Sequence, residues 1–339
     1  MINKNSTFLI TGGCGFIGSN FIHYLFKNYK EELIIINLDK LTYAGNLINL
    51  DDISNKSNYY FIKGDICNRE LVEYIFEKFK PNYVVNFAAE SHVDRSIEEP
   101  EIFIKTNVLG AYTLFDVSKE YIKKNRIDNF RFIQISTDEV YGSLPLDSKE
   151  KFNEESPLKP NSPYSASKAS ADLLAKSFFV TYGLPIIITR STNNFGSRQY
   201  PEKLIPLTLK KALKGEQIPV YGDGQNIRDW MYVEDNCKAI DLVLHKGKIG
   251  EIYNIGGENE WKNIDLVNLI CEILGEISGK DANGYKKLIT FVKDRPGHDK
   301  KYSLDIQKIK NHLEWQSSKN FKENLLNTIK WYYEILEFK

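Results

Sequence analysis

The 339-residue chain has no formal net charge, since 45 basic residues balance 45 acidic ones, and no long run of like charge occurs in it. A nucleic-acid or membrane-surface partner, which needs a field of one sign, is disfavoured, and an anionic ligand has to be held by local cations. Cysteine is scarce. Cys14, Cys67, Cys237 and Cys271 form no CxxC pair, and the five histidines do not fall beside them at metal-ligand spacing, so reduced thiols and no metal site are expected. No apolar run approaches the ~20 residues of a membrane helix. The N-terminus enters a β-prone run without a basic region, signal core or cleavage site, which points to the cytoplasm. Internal repeats and low-complexity segments are absent too. What is present is apolar residue enough, 42% of the chain, for one large domain or two moderate ones.

The chain opens as strand, glycine turn and helix. Residues 7–10 are β-prone, Thr11-Gly12-Gly13-Cys14-Gly15-Phe16-Ile17-Gly18 follows at once, and Phe21, Ile22 and Leu25 continue at helical spacing. Gly12-x-x-Gly15-x-x-Gly18 is a variant of the dinucleotide fingerprint: glycines permit the tight turn, let backbone N–H groups reach a pyrophosphate, and seat the helix close to the sheet. A second apolar run, 33–38, ends in Asp39, about 20 residues after the last glycine, where a carboxylate meets an adenosine ribose diol. An acid there repels a 2′-phosphate and favours NAD over NADP, with Lys40 beside it pulling the other way; the plainer reading of Asp39 is a helix cap or turn residue.

Further strands are expected at 59–62, 83–87, 130–135 and 186–189, with helices at 69–79, 101–124 and from Tyr164 to just before Tyr182. Asp65 either accepts from an adenine amino group or caps the 69–79 helix, and Ala88 and Ala89 are small enough for a cofactor to lie against their backbone. Six strands with intervening helices make an α/β fold with a Rossmann doubly wound parallel sheet, ligands lying at the C-terminal strand ends. Beyond residue 190 turn residues and lone cations interleave with short apolar pieces. Residues 1–190, rejoined by 225–255, are therefore assigned to an NAD-binding domain. Residues 191–224 and 256–339 form a smaller α/β C-terminal substrate domain, packed by amphipathic helices at 261–274 and 321–336.

Chemistry concentrates in Ser136-Thr137-Asp138-Glu139-Val140-Tyr141-Gly142 at the end of the fifth strand. A hydroxyl and two adjacent carboxylates stand there, followed by Tyr164-x-x-x-Lys168, whose phenol and ammonium share a helix face. A nearby cation favours phenolate, so Tyr164 is expected to act as a base near neutral pH. Each piece alone has a blander reading, an amphipathic helix or a polar loop. In the polar loop Ser91, His92, Asp94 and Arg95, His92 reads as a structural hydrogen-bonding residue, and residues 144–160 read as an excursion over the site. Lys203, Arg228 and Arg295 are natural diphosphate clamps, or singly surface ion pairs. The apolar positions of the 101–124 and Tyr164 helices suit a four-helix homodimer interface.

The stretches TGGCGFIGS, DKLTYAGNL, NFAAESHVDRSI, STDEVYG, PYSASKASAD, NNFG with PEKLIPL, IRDWMYVED, YNIGG and DRPGHD run in order from Thr11 to Asp299. Together they resemble the extended short-chain dehydrogenase/reductases, and within them the dTDP-glucose 4,6-dehydratase family. Glycine loop and YxxxK specify the superfamily; Asp138-Glu139 after Thr137, with DRPGHD, is the narrower signal. The resemblance implies a tightly held NAD, reduced and reoxidised within one turnover, and a 4-keto-6-deoxy product on the way to deoxysugar (rhamnose) nucleotides. It implies that Tyr164, helped by Lys168 and Thr137, takes the sugar 4-hydroxyl proton, that Glu139 removes the C5 proton, and that Asp138 protonates the departing 6-hydroxyl. Cofactor contacts implied are Phe16, Ile17, Lys40, Thr42, Gly45, Asp65, Ile66, Ser91, Thr106 and Asn194, beside Gly12, Gly15, Gly18, Asp39, Ala88, Ala89, Tyr164 and Lys168. Substrate contacts implied are Ser91, Thr137, Asn193, Lys203, Leu204, Pro219, Tyr221, Arg228, Asn263, Arg295 and His298. The chain departs from the family at Phe195 and Ser197, where Tyr and Pro are common, and at Arg198-Gln199-Tyr200.

Two rival readings differ in what they ask of Asp138-Glu139. A 4-epimerase or another dehydratase on a UDP- or GDP-sugar shares the fold, but an epimerase needs no acid/base pair after the threonine. A NAD-binding structural or sensor subunit would be free to lose Tyr164, Lys168 or the carboxylates, and all are retained.

Overall fold

Apolar strands that alternate with helices can bury both faces only in a parallel sheet between helix layers. The computed structural model, which describes residues 6–29 and 33–337, has this arrangement. The first part of the chain runs β1 (Ser6–Thr11), α1 (Phe16–Tyr29), β2 (Leu33–Asp39), β3 (Tyr59–Lys63), α2 (Arg69–Phe79), β4 (Tyr83–Asn86), α3 (Val93–Glu98) and α4 (Pro100–Phe103). It continues with a π-helical turn (Ile104–Gly110), α5 (Ala111–Asn125), β5 (Arg131–Thr137), a 3₁₀ turn (Asp138–Tyr141), α6 (Pro163–Tyr182) and β6 (Ile186–Ser191). Then follow β7 (Asn193–Phe195), α7 (Leu204–Leu213), β8 (Ile218–Tyr221), β9 (Ile227–Tyr232), α8 (Val233–Lys246) and β10 (Ile252–Ile255). The chain closes with β11 (Glu260–Lys262), α9 (Asn263–Ser278), α10 (Ala282–Lys286), β12 (Ile289–Val292), α11 (Gln307–Leu313) and α12 (Phe321–Glu337). Residues 1–5, which carry part of the reading that no export signal is present, lie outside the described residues. None of the described helices is long and apolar enough to cross a membrane.

The main sheet is parallel, with strand order β10-β6-β5-β4-β1-β2-β3. It has seven strands where six were expected, because β10 adds a strand beside β6. The order reverses between β1 and β4, the crevice where a doubly wound sheet takes its ligand. Within 225–255, α8 and β10 pack on this sheet, whereas β9 pairs with β7 and β11 in a small mixed sheet. Leu304, Ile306, Ile309, Leu313 and Trp315 also join the first core, and α7, α9 and α12 enclose the other around Phe195, Leu209 and Leu266.

Three further expectations are corrected. The 101–124 helix is interrupted: Pro100 starts a short α turn, Ile104–Gly110 widens into a π-helical turn, and only Ala111–Asn125 is regular. Buried Asn107, whose side chain bonds both the backbone of Glu90 and Ser167 Oγ, sits in that turn; such insertions widen a helix locally. The 261–274 helix begins at Asn263, since Trp261 belongs to β11. Residues 144–160 line neither cavity described below. They pack instead along the late chain, with Leu144 bridged to Lys301 and Phe152 to Leu304.

Candidate active site

The glycine loop sets the floor of the first cavity. Gly12 adopts φ 68°, and a Cβ there would stand 2.6 Å from the Ala88 nitrogen, so only glycine permits this approach of the loop to the end of β4. Helix α1 starts at Phe16, and its first N–H groups, without intrahelical acceptors, give the positive end of the helix to the cavity. Asp39 accepts from Cys14 N and Leu41 N at 2.8 Å each, one lone pair per oxygen, and so keeps further acceptor capacity at the cavity wall. Asp65 does not cap α2: Asn68 does. Asp65 instead pairs with Lys40 at 2.8 Å and accepts from Cys67 N, so Lys40 is drawn toward a carboxylate and away from a free role.

At the far end of this cavity, of about 300 Å³, stand Thr137, Asp138, Glu139, Tyr164 and Lys168. A second cavity, of about 570 Å³, shares Ser91, Glu139, Asn193 and Lys203 with it and continues between the two cores. All eighteen expected cofactor residues line the first cavity. Ten of the eleven expected substrate residues line the second, Thr137 lying in the first. The geometry thus joins the glycine-loop cavity to a second chamber along a shared wall that includes Glu139 and Glu202.

Local folding places the acids. Thr137 caps the 3₁₀ turn by accepting from Glu139 N at 3.3 Å, and Gly142, at φ 86°, ends it. Thr137 Oγ1 also approaches Asp138 Oδ1 at 3.3 Å. Asp138 is 2% exposed, and its Oδ2 has no hydrogen-bond partner among the described residues. Burial first, then the Glu139 charge, push its carboxyl well above the usual range. Burial also raises Glu139, but Arg295, Arg228 and Lys203 pull it back. Of the two, Asp138 is the more strongly biased toward holding a proton, and the three cations bias Glu139 toward the carboxylate.

Tyr164 enters from α6, whose start is fixed by a Ser162–Ser165 capping box with Pro163 in the first turn. The expectation that Lys168 lowers its pKa is overturned. Burial, and then the Glu139 and Asp138 charges, raise the phenol, with a bond to Thr137 opposing them. Lys168 turns its ammonium to the Ile135 carbonyl at 2.5 Å, and burial holds it down to about 8.

The three clamp cations are partly committed. Arg228 donates to the carbonyls of Ile227 and Asp299 at 2.8 Å, Lys203 to that of Ser91 at 3.0 Å, and Arg295 to Asp94 Oδ1 at 3.3 Å. His92 caps α3 through Nδ1 and lines the second cavity. Sequence reasoning missed Glu90, Gln199, Tyr200, Glu202, Trp230 and Tyr302, all on cavity walls. Glu202 and Tyr302 sit one residue before Lys203 and three after Asp299, so their closeness to motif residues was the available signal. Of the departures, Phe195 is buried in the core with Leu209 and Leu266, Ser197 O accepts from Asn20 Nδ2 at 3.0 Å, and Gln199 and Tyr200 line both cavities, the Tyr200 ring edge-on to Tyr43 at 5.4 Å.

Sheet, glycine loop and Tyr164-x-x-x-Lys168 together define an enzyme fold of the extended short-chain dehydrogenase/reductase class. The chain belongs to the family described as GDP-mannose 4,6 dehydratase, whose model matches residues 9–328. It is 50% identical over 330 residues to dTDP-glucose 4,6-dehydratase of Haemophilus influenzae, covering 96% of this chain and 97% of that one. Among solved structures it is similar to dTDP-glucose 4,6-dehydratase of Bacillus anthracis in complex with NAD, at 47% identity, TM-score 0.86 and 98% coverage of each chain. The dTDP-glucose 4,6-dehydratase of Streptomyces venezuelae, with NAD and a dTDP ligand bound, matches at 41% identity, TM-score 0.89 and 98% coverage of each chain.

Proposed function

We propose that this chain is an NAD-dependent dTDP-glucose 4,6-dehydratase, a hydro-lyase that converts dTDP-glucose to dTDP-4-keto-6-deoxyglucose and water. The observation that carries this reading is the placing of two adjacent carboxyls beside Tyr164 in the first cavity, Asp138 raised well above the usual range by burial and the Glu139 charge, and Glu139 facing three cations and also lining the second cavity. NAD fits the first cavity on the structure's own terms: the glycine approach to Ala88 leaves room for a pyrophosphate at the start of α1, and Asp39 offers acceptors to a ribose diol. When bound, it supplies the acceptor for a hydride from C4 and the donor of one to C6.

The chain's residues move the protons. Tyr164, bonded to Thr137, takes the 4-hydroxyl proton once it has shed its own, a loss that the positive charge of a bound oxidised nicotinamide would favour against burial. The resulting 4-ketone acidifies C5, so Glu139 can remove that proton while Asp138 gives its own to the leaving 6-hydroxyl, and water departs. Glu139 then returns its proton to C5, and the proton taken by Tyr164 passes through solvent to replace the one Asp138 gave up, so that the net change is loss of one water. Arg228, Arg295 and Lys203 hold the diphosphate, and Asn193, Leu204, Pro219, Tyr221, Asn263 and His298 frame the sugar and base. An epimerase has no use for the Asp138 proton, which disfavours that rival.

The reading extends to the assembly and compartment: residues 1–190 with 225–255 bind the cofactor, 191–224 and 256–339 bind the sugar nucleotide, and two chains pair in the cytoplasm through α5 and α6. Support for pairing is the exposure of Ile104, Leu109, Tyr112, Leu173 and Val180 on these helical stretches, since a monomer surface seldom clusters such residues. The test of function is purified protein given dTDP-glucose without added NADH, with mass spectrometry reading loss of water. No product there, with turnover of UDP- or GDP-sugars, overturns the substrate.

A further inference from the structure

Arg190 takes no part in the steps above, yet its side chain is 3% exposed and lies directly behind the site. It stands at the end of β6, in register with Ser136 of β5. Its Nε donates to Asp172 Oδ2 at 2.9 Å, and its Nη1 donates to the Tyr141 hydroxyl at 2.9 Å, with the guanidinium 4.8 Å from the centre of the Tyr141 ring. Asp172 Oδ2 also accepts from Ser136 Oγ at 3.0 Å, and the Tyr141 hydroxyl donates its own hydrogen bond to Asn254 Oδ1 at 2.8 Å.

These partners belong to the two halves of the catalytic apparatus. Asp172 lies one helical turn beyond Lys168 on α6, and the two grip successive residues of β5, Lys168 the Ile135 carbonyl and Asp172 the Ser136 hydroxyl. Tyr141 closes the 3₁₀ turn that carries Asp138 and Glu139. We propose that Arg190 is a positioning residue that fixes the Tyr164–Lys168 helix through Asp172 and the Asp138–Glu139 turn through Tyr141, so that oxidation at C4 and elimination across C5 and C6 share one alignment. A buried charge pair costs desolvation that an apolar pair would avoid, and the division of its hydrogen bonds between the two half-sites accounts for its presence.

The inference rests on the dehydratase reading, and its two arms make separate demands. Tyr141→Phe keeps the ring and removes only the hydroxyl. Single-turnover reaction of the holoenzyme with dTDP-glucose, followed by NADH absorbance and by mass spectrometry of the sugar, is expected to show normal NADH formation with elimination slowed at least tenfold, so that NADH accumulates. Asp172→Asn is expected to slow NADH formation at least tenfold, with no accumulation, and both variants keep KM within threefold of the wild type. If Asp172→Asn does not fold, Asp172→Asn with Arg190→Gln removes both charges together and is expected to slow both steps. Variants slowed at the same step, or not slowed, overturn the proposal while the wild type still turns over. A wild type that yields neither NADH nor dehydrated sugar overturns the functional reading itself, and the proposal with it.

Discussion

Arg295 and Asp94 meet across the second cavity, Nη1 to Oδ1 at 3.3 Å, joining the first turn of α3 to the loop after β12. The same carboxylate accepts from the Tyr221 hydroxyl at 3.1 Å, and Arg295 Nη2 lies 3.1 Å from His298 Nε2. A cation so placed is pre-oriented for a diphosphate but commits only part of its fork. Arg295→Ala is therefore expected to raise the KM for dTDP-glucose by about 10- to 100-fold, the value of a charged hydrogen bond of about 1.5–3 kcal/mol, with kcat changed far less. Steady-state kinetics at low and high salt check this, since the variant's KM should depend less on ionic strength than the wild type's.

Glu139→Gln keeps the shape of the side chain and removes the base. Because Tyr164 and Lys168 stand on a different element, bound NAD should still be reduced on adding substrate, while water loss falls by about 10²- to 10⁴-fold, the range of a general base. Stopped-flow absorbance of NADH against mass spectrometry of the sugar separates the two. Unchanged dehydration would remove Glu139 from the mechanism.

What was legible in the sequence is what local pattern encodes. Gly12, Gly15 and Gly18, Asp39, and Thr137 to Glu139 were singled out by spacing and strand-end position, and all of them line the first cavity. Glu202 and Tyr302 were legible only as neighbours of motif residues, and their place on the cavity walls comes from a fold that brings distant stretches together. Nor was β10: four residues among turn signals have too little period to announce a buried strand. The π-helical turn at Ile104–Gly110 leaves no compositional mark, since one widened turn alters hydrogen bonding and not residue choice. The lowered Tyr164 pKa failed for a similar reason. Helical spacing puts Lys168 on the same face, but only the tertiary structure shows its ammonium given to Ile135.

The proposed pairing is tested at two exposed apolar residues of α6. Leu173 is 60% exposed and Val180 71%, about two turns apart on α6. Leu173→Glu with Val180→Glu is expected to yield a monomer by size exclusion with light scattering at micromolar concentration, with the wild type at twice the mass. Wild-type protein found only as monomer would rule out the pairing.

Lys168 gives the pH dependence its sign. Its ammonium is buried, with Asp172 the opposing attraction, and its pKa falls from an ordinary 10.5 to about 8. Between these values the unfolded chain holds the proton and the folded chain does not, so folding is favoured as pH rises through the window. The contribution is fully present above 10.5 and is lost as pH falls through 8. Lys168→Met abolishes this slope whatever its net effect on stability through the lost bond to Ile135. Melting temperatures of nucleotide-free wild type and variant across the window are therefore expected to diverge, the wild type gaining on the order of 3 kcal/mol relative to the variant toward the alkaline end. Parallel curves would mean that Lys168 is charged in the folded protein throughout.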